Sequence, residues 1–239
     1  MTVYPRAVFF DLDDTLLDGW SAMMASWQMV CHEVGQSLGC DSDRLFMAIR
    51  REGANFWKDE GAVAQWRLHL DQARVEVVKR ALAAEGQDPS LAREIAIEYG
   101  RRHFENLAVF DDAFETLDAL RAAGFRTGLI TNGAARPQRA KIDRFGIERY
   151  MDVVVIEGEF GIGKPERAVF EHAARTVGVA PPEAWHVGDN LYADIGGAKA
   201  TGLHAVWIHR GRLQLREDLA VVPDRTVAHL AELRNALGL

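Results

Sequence analysis

The sequence predicts an α/β protein: a doubly wound, Rossmann-like parallel sheet with a helical bundle inserted after its first strand. Three observations carry this expectation. Short apolar runs recur at 7–10, 126–131, 153–156, 184–187 and 205–208, each closed by turn residues. Helical patterns separate the last four, and strands alternating with helices imply a parallel sheet. Between 19 and 106 the texture changes: apolar residues fall at three- and four-residue steps and β-branched runs are scarce. The expected organisation is therefore a core built from 1–18 and 107–239 and a helical cap from 19–106.

The first strand, Ala7 to Phe10, runs into Asp11, Asp13 and Asp14. In the insert, Trp20, Met23, Met24, Trp27 and Val30 mark one helical face, and Asp41-Ser42 suits the start of a second helix carrying Leu45, Phe46 and Ile49. Gly53 to Lys58 is expected to interrupt that helix or form a loop, with Phe56 and Trp57 free to face a ligand. A longer helix follows, with Trp66, Leu70, Ala73, Val77 and Ala81 on one side, then another over about 90–104. After Val109 the expected order is helix 112–123, strand, helix 137–145, strand, a tight Gly161–Pro165 loop, helix 166–177, strand, a short helix 194–201, strand and a closing helix 227–237.

Composition bounds the function. Of 239 residues, 48% are hydrophobic and 26% charged, enough apolar content for a sizeable core. The net charge of −7 argues against a nucleic-acid polymer as partner. The spacing of Cys31 and Cys40 makes neither a disulfide framework nor a zinc site. No apolar run approaches bilayer length and no basic-then-apolar leader opens the chain, so no membrane association and a cytoplasmic location are expected.

Four polar clusters stand at strand ends: Asp11/Asp13/Thr15, Thr131/Asn132/Gly133, Gly163/Lys164/Pro165, and Gly188/Asp189 with Asp194. A parallel sheet brings these ends to one edge, where open α/β sheets bind ligands. Crowded carboxylates repel by about 1 kcal/mol per pair at 4 Å in water and about 4 kcal/mol at an intermediate dielectric. A hard cation such as Mg²⁺ relieves this. Asp11 can act as a carboxylate nucleophile, Thr131 and the amides near Asn132 can hold phosphate oxygens, Lys164 supplies a compact positive charge, and Asp189 can complete a metal site. Each cluster also has a plain alternative: Asp13 and Asp14 as a turn, Lys164 as a solvated loop lysine, Asp194 as a helix cap. Arg136, Arg139 and Lys141 suggest a solvated basic helix start, with Arg136 and Arg139 near enough to meet an anionic substrate. His103, His172, His186, His204 and His209 lack ligand spacing and are expected to be structural or on the surface.

In order and spacing, Asp11-Leu-Asp-Asp-Thr-Leu16, Leu129-Ile-Thr-Asn-Gly133, Gly163-Lys-Pro165 and Gly188-Asp-Asn-Leu-Tyr-Ala-Asp194 resemble the four motifs of the haloacid dehalogenase superfamily of phosphohydrolases. The resemblance covers nearly the whole chain and is most similar to the branch that holds N-acylneuraminate 9-phosphatase and related nucleotide and sugar phosphatases. It implies an Mg²⁺-dependent hydrolase of small phosphomonoesters. Asp11 would form an aspartyl-phosphate, and Asp13 would be the general acid and base. The metal would be held by Asp11, Asp189 and the Asp13 carbonyl. Thr131, Asn132 and Lys164 would hold the phosphoryl group, with Lys164 also offsetting charge on the intermediate. Thr15 would steady the loop after Asp13, and Asp194 would position Lys164 or a metal-bound water. A phosphosugar mutase would share these motifs and differ in its cap. A haloacid dehalogenase would lack Asp13, and a non-catalytic binding module would be expected to have lost Asp11, Asp13, Lys164 or Asp189. Specificity would come from cap residues such as Trp20, Met24, Arg50, Asn55, Phe56, Trp57 and Lys58.

Overall fold

In the computed structural model, which describes residues 4–58, 61, 65–211 and 221–239, the central element is a six-stranded parallel sheet. Strands β1 (Ala7–Phe10), β2 (Arg126–Thr131), β3 (Val153–Ile156), β4 (Ala184–Gly188), β5 (His204–Ile208) and β6 (Arg225–Val227) lie in the order β3-β2-β1-β4-β5-β6. The chain steps outward from β1 on one side, returns, and steps outward from β4 on the other. The reversal lies between β1 and β4, where ligands settle in open sheets. Register across it pairs Phe10 with both Leu129 and Val187, so the ends of three strands are level.

The alternation of β1 explains the two covered faces. Val8 and Phe10 point into one apolar cluster with Leu117, Leu120, Ile142, Leu230 and Leu233. Ala7 and Phe9 point into another with Val169, Phe170, Ala173 and Ala198. Helices on the first face are α5 (Asp111–Ala122), α6 (Ala135–Phe145) and α10 (Leu230–Ala236). On the second are α8 (Arg167–Thr176) and α9 (Gly197–Thr201). The one-turn α7 (Glu157–Phe160) follows β3 directly. The closing segment differs from expectation: 225–227 pairs with β5 as an edge strand, and the helix begins only at Leu230.

The chain divides into two compact units, 1–18 with 109–239 and 19–108. Within the first, the outgoing and returning segments are tied together: Leu17 bridges Val109, and the Phe110 amide donates to the Leu16 carbonyl at 3.0 Å. The second unit consists of α1 (Gly19–Leu38), α2 (Ser42–Phe56), α3 (Leu70–Ala84) and α4 (Ala92–Asn106). Its interior holds Val30, Leu45, Ile49, Val78, Leu82 and Ile95, with Trp27 stacked on Tyr99 at 3.8 Å. Asp41 caps α2, accepting from the amides of Asp43 and Arg44 at 2.9 and 3.1 Å.

Three expectations fail in this unit. Helix α2 continues through Gly53 to Phe56, because burying Phe56 in the bundle outweighs the roughly 1 kcal/mol that a mid-helix glycine costs. Phe56 therefore faces the bundle interior. Leu70 and Trp20 lie exposed, while the buried stripe of α3 is Ala73, Val77, Val78, Ala81 and Leu82. Among the described residues, no helix is long and apolar enough to cross a membrane.

Candidate active site

Strand β1 ends with the Asp11 amide donating to the Val187 carbonyl at 2.9 Å, so Asp11 still belongs to the ladder and its direction is set by the sheet. The chain then folds back. The amides of Leu16 and Leu17 both donate to the Leu12 carbonyl, and Asp14 adopts a left-handed backbone at φ 63°. This turn places Thr15 in the interior. The Thr15 hydroxyl finds no hydrogen-bond partner among the described residues, and what holds the turn is the Thr15 carbonyl, which accepts from Arg210 at 2.9 Å.

Lys164 sits at the centre of the site with its side chain 2% exposed. Its ammonium donates to Asp11 Oδ1 at 2.5 Å and to Asp194 Oδ1 at 2.6 Å. The Asn132 side chain fixes the lysine's backbone from both sides: its Nδ2 donates to the Lys164 carbonyl at 2.8 Å, and its Oδ1 accepts the Lys164 amide at 2.7 Å. The Lys164-Pro165 peptide is cis. Gly163 permits this approach, since a Cβ there would lie 2.7 Å from Asn132 Oδ1 and 2.5 Å from Glu157 Cδ. Glu157, at the head of α7, accepts the Gly133 amide at 3.0 Å and so ties the two loops together.

Asp194 is 1% exposed and fully engaged: it also contacts His186 Nε2 at 2.9 Å and accepts the Asn190 amide at 3.0 Å. Helix capping here falls to Asn190, whose Oδ1 accepts from the amides of Tyr192 and Ala193. Gly188 makes room for Asp194, because a Cβ on residue 188 would stand 2.2 Å from Asp194 Cγ. Carboxylate oxygens of Asp11, Asp189 and Asp194 lie within 4.8 Å of one another. Trp207 Nε1 donates to the Asp189 carbonyl at 2.8 Å.

The electrostatics separate these acids. Burial, with the charges of Asp194 and Asp13, raises Asp11 to about 7 despite Lys164. Burial and the neighbouring Asp11, Asp194 and Asp14 raise Asp189 well above the carboxylate range. Burial also presses on Asp194, but the Lys164 charge and the His186 bond win and hold it at about 2. Lys164 loses some basicity to burial and regains more from its two carboxylates, so it stays charged. His186 is pushed down by burial.

Asp13 takes a different surrounding. Lys141 Nζ reaches both Asp13 oxygens at 2.8 Å, and Gln138 Nε2 reaches Asp13 Oδ2 at 3.1 Å, Thr131 Oγ1 at 2.6 Å and the Asn132 carbonyl at 3.0 Å. Lys141 is therefore paired rather than solvated. Arg139 pairs with Glu159 at 2.6 Å and Glu148 at 3.1 Å, and Arg136 is exposed. The sequence alone gives Gln138 no role, places Lys141 in a solvated helix start, and leaves His186 among the structural or surface histidines without a place in the site. The signal for the first two was their three-residue spacing on α6, which puts both on one face. For His186 it was a polar residue amid the buried β4.

A family profile of haloacid dehalogenase-like hydrolases matches residues 5–202. The chain belongs to that family. Similar proteins include a glyceraldehyde 3-phosphate phosphatase of Methanopyrus kandleri, 33% identical over 87% of this chain and 86% of that protein. A phosphoserine phosphatase of Thermus thermophilus is 32% identical over 95% and 97%. N-acylneuraminate-9-phosphatase of Mus musculus is 30% identical over 95% and 92%. Among solved structures, a phosphatase of this family from Thermococcus onnurineus superposes with a TM-score of 0.68 at 29% identity, covering 98% of each chain. The haloacid dehalogenase-like fold and the branch anticipated from the four motifs both stand.

Proposed function

We infer that the protein hydrolyses small phosphomonoesters through a phosphorylated Asp11, with Mg²⁺ as cofactor. The observation that carries this is the Lys164 arrangement: a buried ammonium holding one oxygen of Asp11 while Asp194, itself bonded by His186, holds the ammonium from behind. With Oδ1 bound to Lys164, Oδ2 is the oxygen that attacks phosphorus. The bond from phosphorus to the leaving oxygen breaks, and Asp13 gives that oxygen its proton. Asp13 then takes a proton from water as the water attacks phosphorus and frees Asp11. Thr131 and the Asn132 amide hold the non-reacting phosphoryl oxygens, and Lys164 offsets their charge.

The residues present fit a hard divalent cation. Asp11 and Asp189 have raised pKa values because negative charge is crowded and buried beyond what Lys164 neutralises, and Mg²⁺ prefers such oxygen donors. Asp11, Asp189 and the Asp13 carbonyl would hold it; bound, it would neutralise phosphoryl charge. Relatives that act on glyceraldehyde 3-phosphate, phosphoserine and N-acylneuraminate 9-phosphate support the substrate class of small phosphorylated metabolites.

The test is phosphate release from a panel of alkyl and aryl phosphomonoesters, with Mg²⁺, with chelator, and with Asp11→Asn. Release that needs Mg²⁺ and disappears in the folded variant is expected. Release surviving Asp11→Asn would refute the nucleophile.

A further inference from the structure

Asp13 lies in a turn with a left-handed residue immediately after it. Its carboxylate is held from α6. Lys141 spans both oxygens at 2.8 Å each, and Gln138 takes a further position on Oδ2 at 3.1 Å. The lysine side chain is 15% exposed and the aspartate 35%. An ammonium set evenly between two carboxylate oxygens restrains rotation of that group more than one hydrogen bond does. Gln138, 3% exposed, also bonds Thr131 Oγ1 and the Asn132 carbonyl. Helix α6 starts at Ala135, directly after the Thr131-Asn132-Gly133 turn. One rigid element therefore carries both the turn read as the phosphate cradle and the groups that aim Asp13.

We propose that Lys141 is a positioning residue for proton transfer by Asp13, assisted by Gln138. This rests on the phosphatase reading above. Lys141 exchanges no proton and touches no substrate atom. It sets the direction from which the Asp13 O–H bond delivers its proton to the oxygen leaving phosphorus, while the P–O electron pair stays on that oxygen. Misaimed transfer matters only where the leaving oxygen is basic. An alkoxide needs the proton; p-nitrophenolate leaves nearly as well without it.

The experiment measures kcat/KM, with Mg²⁺, for p-nitrophenyl phosphate and for the alkyl phosphate turned over fastest in the panel. It compares wild type, Lys141→Met, Lys141→Arg, Asp13→Asn and the Lys141→Met/Asp13→Asn pair. In Lys141→Met the ratio of alkyl to aryl kcat/KM is expected to fall about 30-fold or more, a partial loss of the roughly 10²–10⁴-fold that general acid catalysis contributes. Lys141→Arg recovers most of it. On the Asp13→Asn background the methionine costs less than about twofold, as residues acting through one another are not additive. Equal losses on both substrates, or a full additional loss in the pair, would overturn the inference and leave the phosphatase standing. Wild-type protein that releases phosphate from neither substrate would refute the phosphatase itself, and the role of Lys141 with it.

Discussion

Lys164→Met should destabilise the protein severely, and by an amount that depends on pH. The substitution keeps most of the stem's packing but removes the cation between Asp11 and Asp194, whose side chains are 11% and 1% exposed. Breaking a buried ion pair from one side typically costs 3–5 kcal/mol. A second route gives a compatible figure. Asp194 is held at about 2, below its unfolded value of 3.8, and losing that depression alone removes about 2 kcal/mol at neutral pH. Forcing two buried acids either to stay charged or to take protons adds more. The sign with pH follows. The stability that Asp194 contributes in wild type is complete above 3.8 and is lost only as pH falls toward 2. In the variant both acids take protons readily, so their penalty shrinks as pH falls from 7.5 to 4.5. Thermal melts of metal-free protein should show a fall of about 6–20 °C at pH 7.5, at 2–4 °C per kcal/mol for a chain of this size, and a distinctly smaller gap at pH 4.5. A loss below about 1 kcal/mol, or a gap equal at both pH values, would refute the view that Lys164 neutralises this pair.

Mg²⁺ affinity should decline as pH drops below 7, by up to about tenfold per unit for each acid that must lose a proton, because Asp11 at about 7 and the raised Asp189 must shed protons to bind it; titration calorimetry showing constant affinity from pH 8 to 6 would contradict this. His186→Leu should cost about 1–2 kcal/mol by removing a buried partner of Asp194. It should also flatten the stability profile between pH 6.5 and 5, where the unfolded histidine takes a proton that the buried one refuses, which denaturant titrations at both pH values can check. Gly188→Ala should abolish phosphate release at saturating Mg²⁺, since its Cβ would displace Asp194 from Lys164; activity within twofold of wild type would contradict that geometry.

The residues legible in the sequence were those that break a pattern. Acids at the end of a buried apolar run, a Thr-Asn-Gly turn after a strand and a lysine in a glycine-proline loop are all anomalous where they stand. The parallel sheet predicted from the same runs brings them to one edge. Lys141 broke no pattern. It is a lysine on a helix already carrying Arg136, Arg139 and Arg144, and its partner is 128 residues away. Which cation on such a helix turns inward depends on the rotation of α6 over the sheet, a tertiary quantity. His186 is hidden for a related reason: in a strand covered on both faces no alternation marks a polar side chain as purposeful. Strand β6 is three residues long at a sheet edge, too short to carry a period. Helix α2 passes through Gly53 because packing overrode local propensity.

The joined stem at Leu16-Leu17 and Val109-Phe110 has a consequence for how such a chain can change. Since the two cut ends are already hydrogen-bonded neighbours, the length of chain between them carries little thermodynamic weight; doubling a closed loop costs only about 0.6 kcal/mol. The intervening 90 residues behave as a cassette. It can be shortened, lengthened or exchanged by grafting at those two points while Asp11, Lys164 and Asp194, all outside it, keep their places. The strand-end side chains and the inserted bundle are then free to diversify at different rates along one polypeptide.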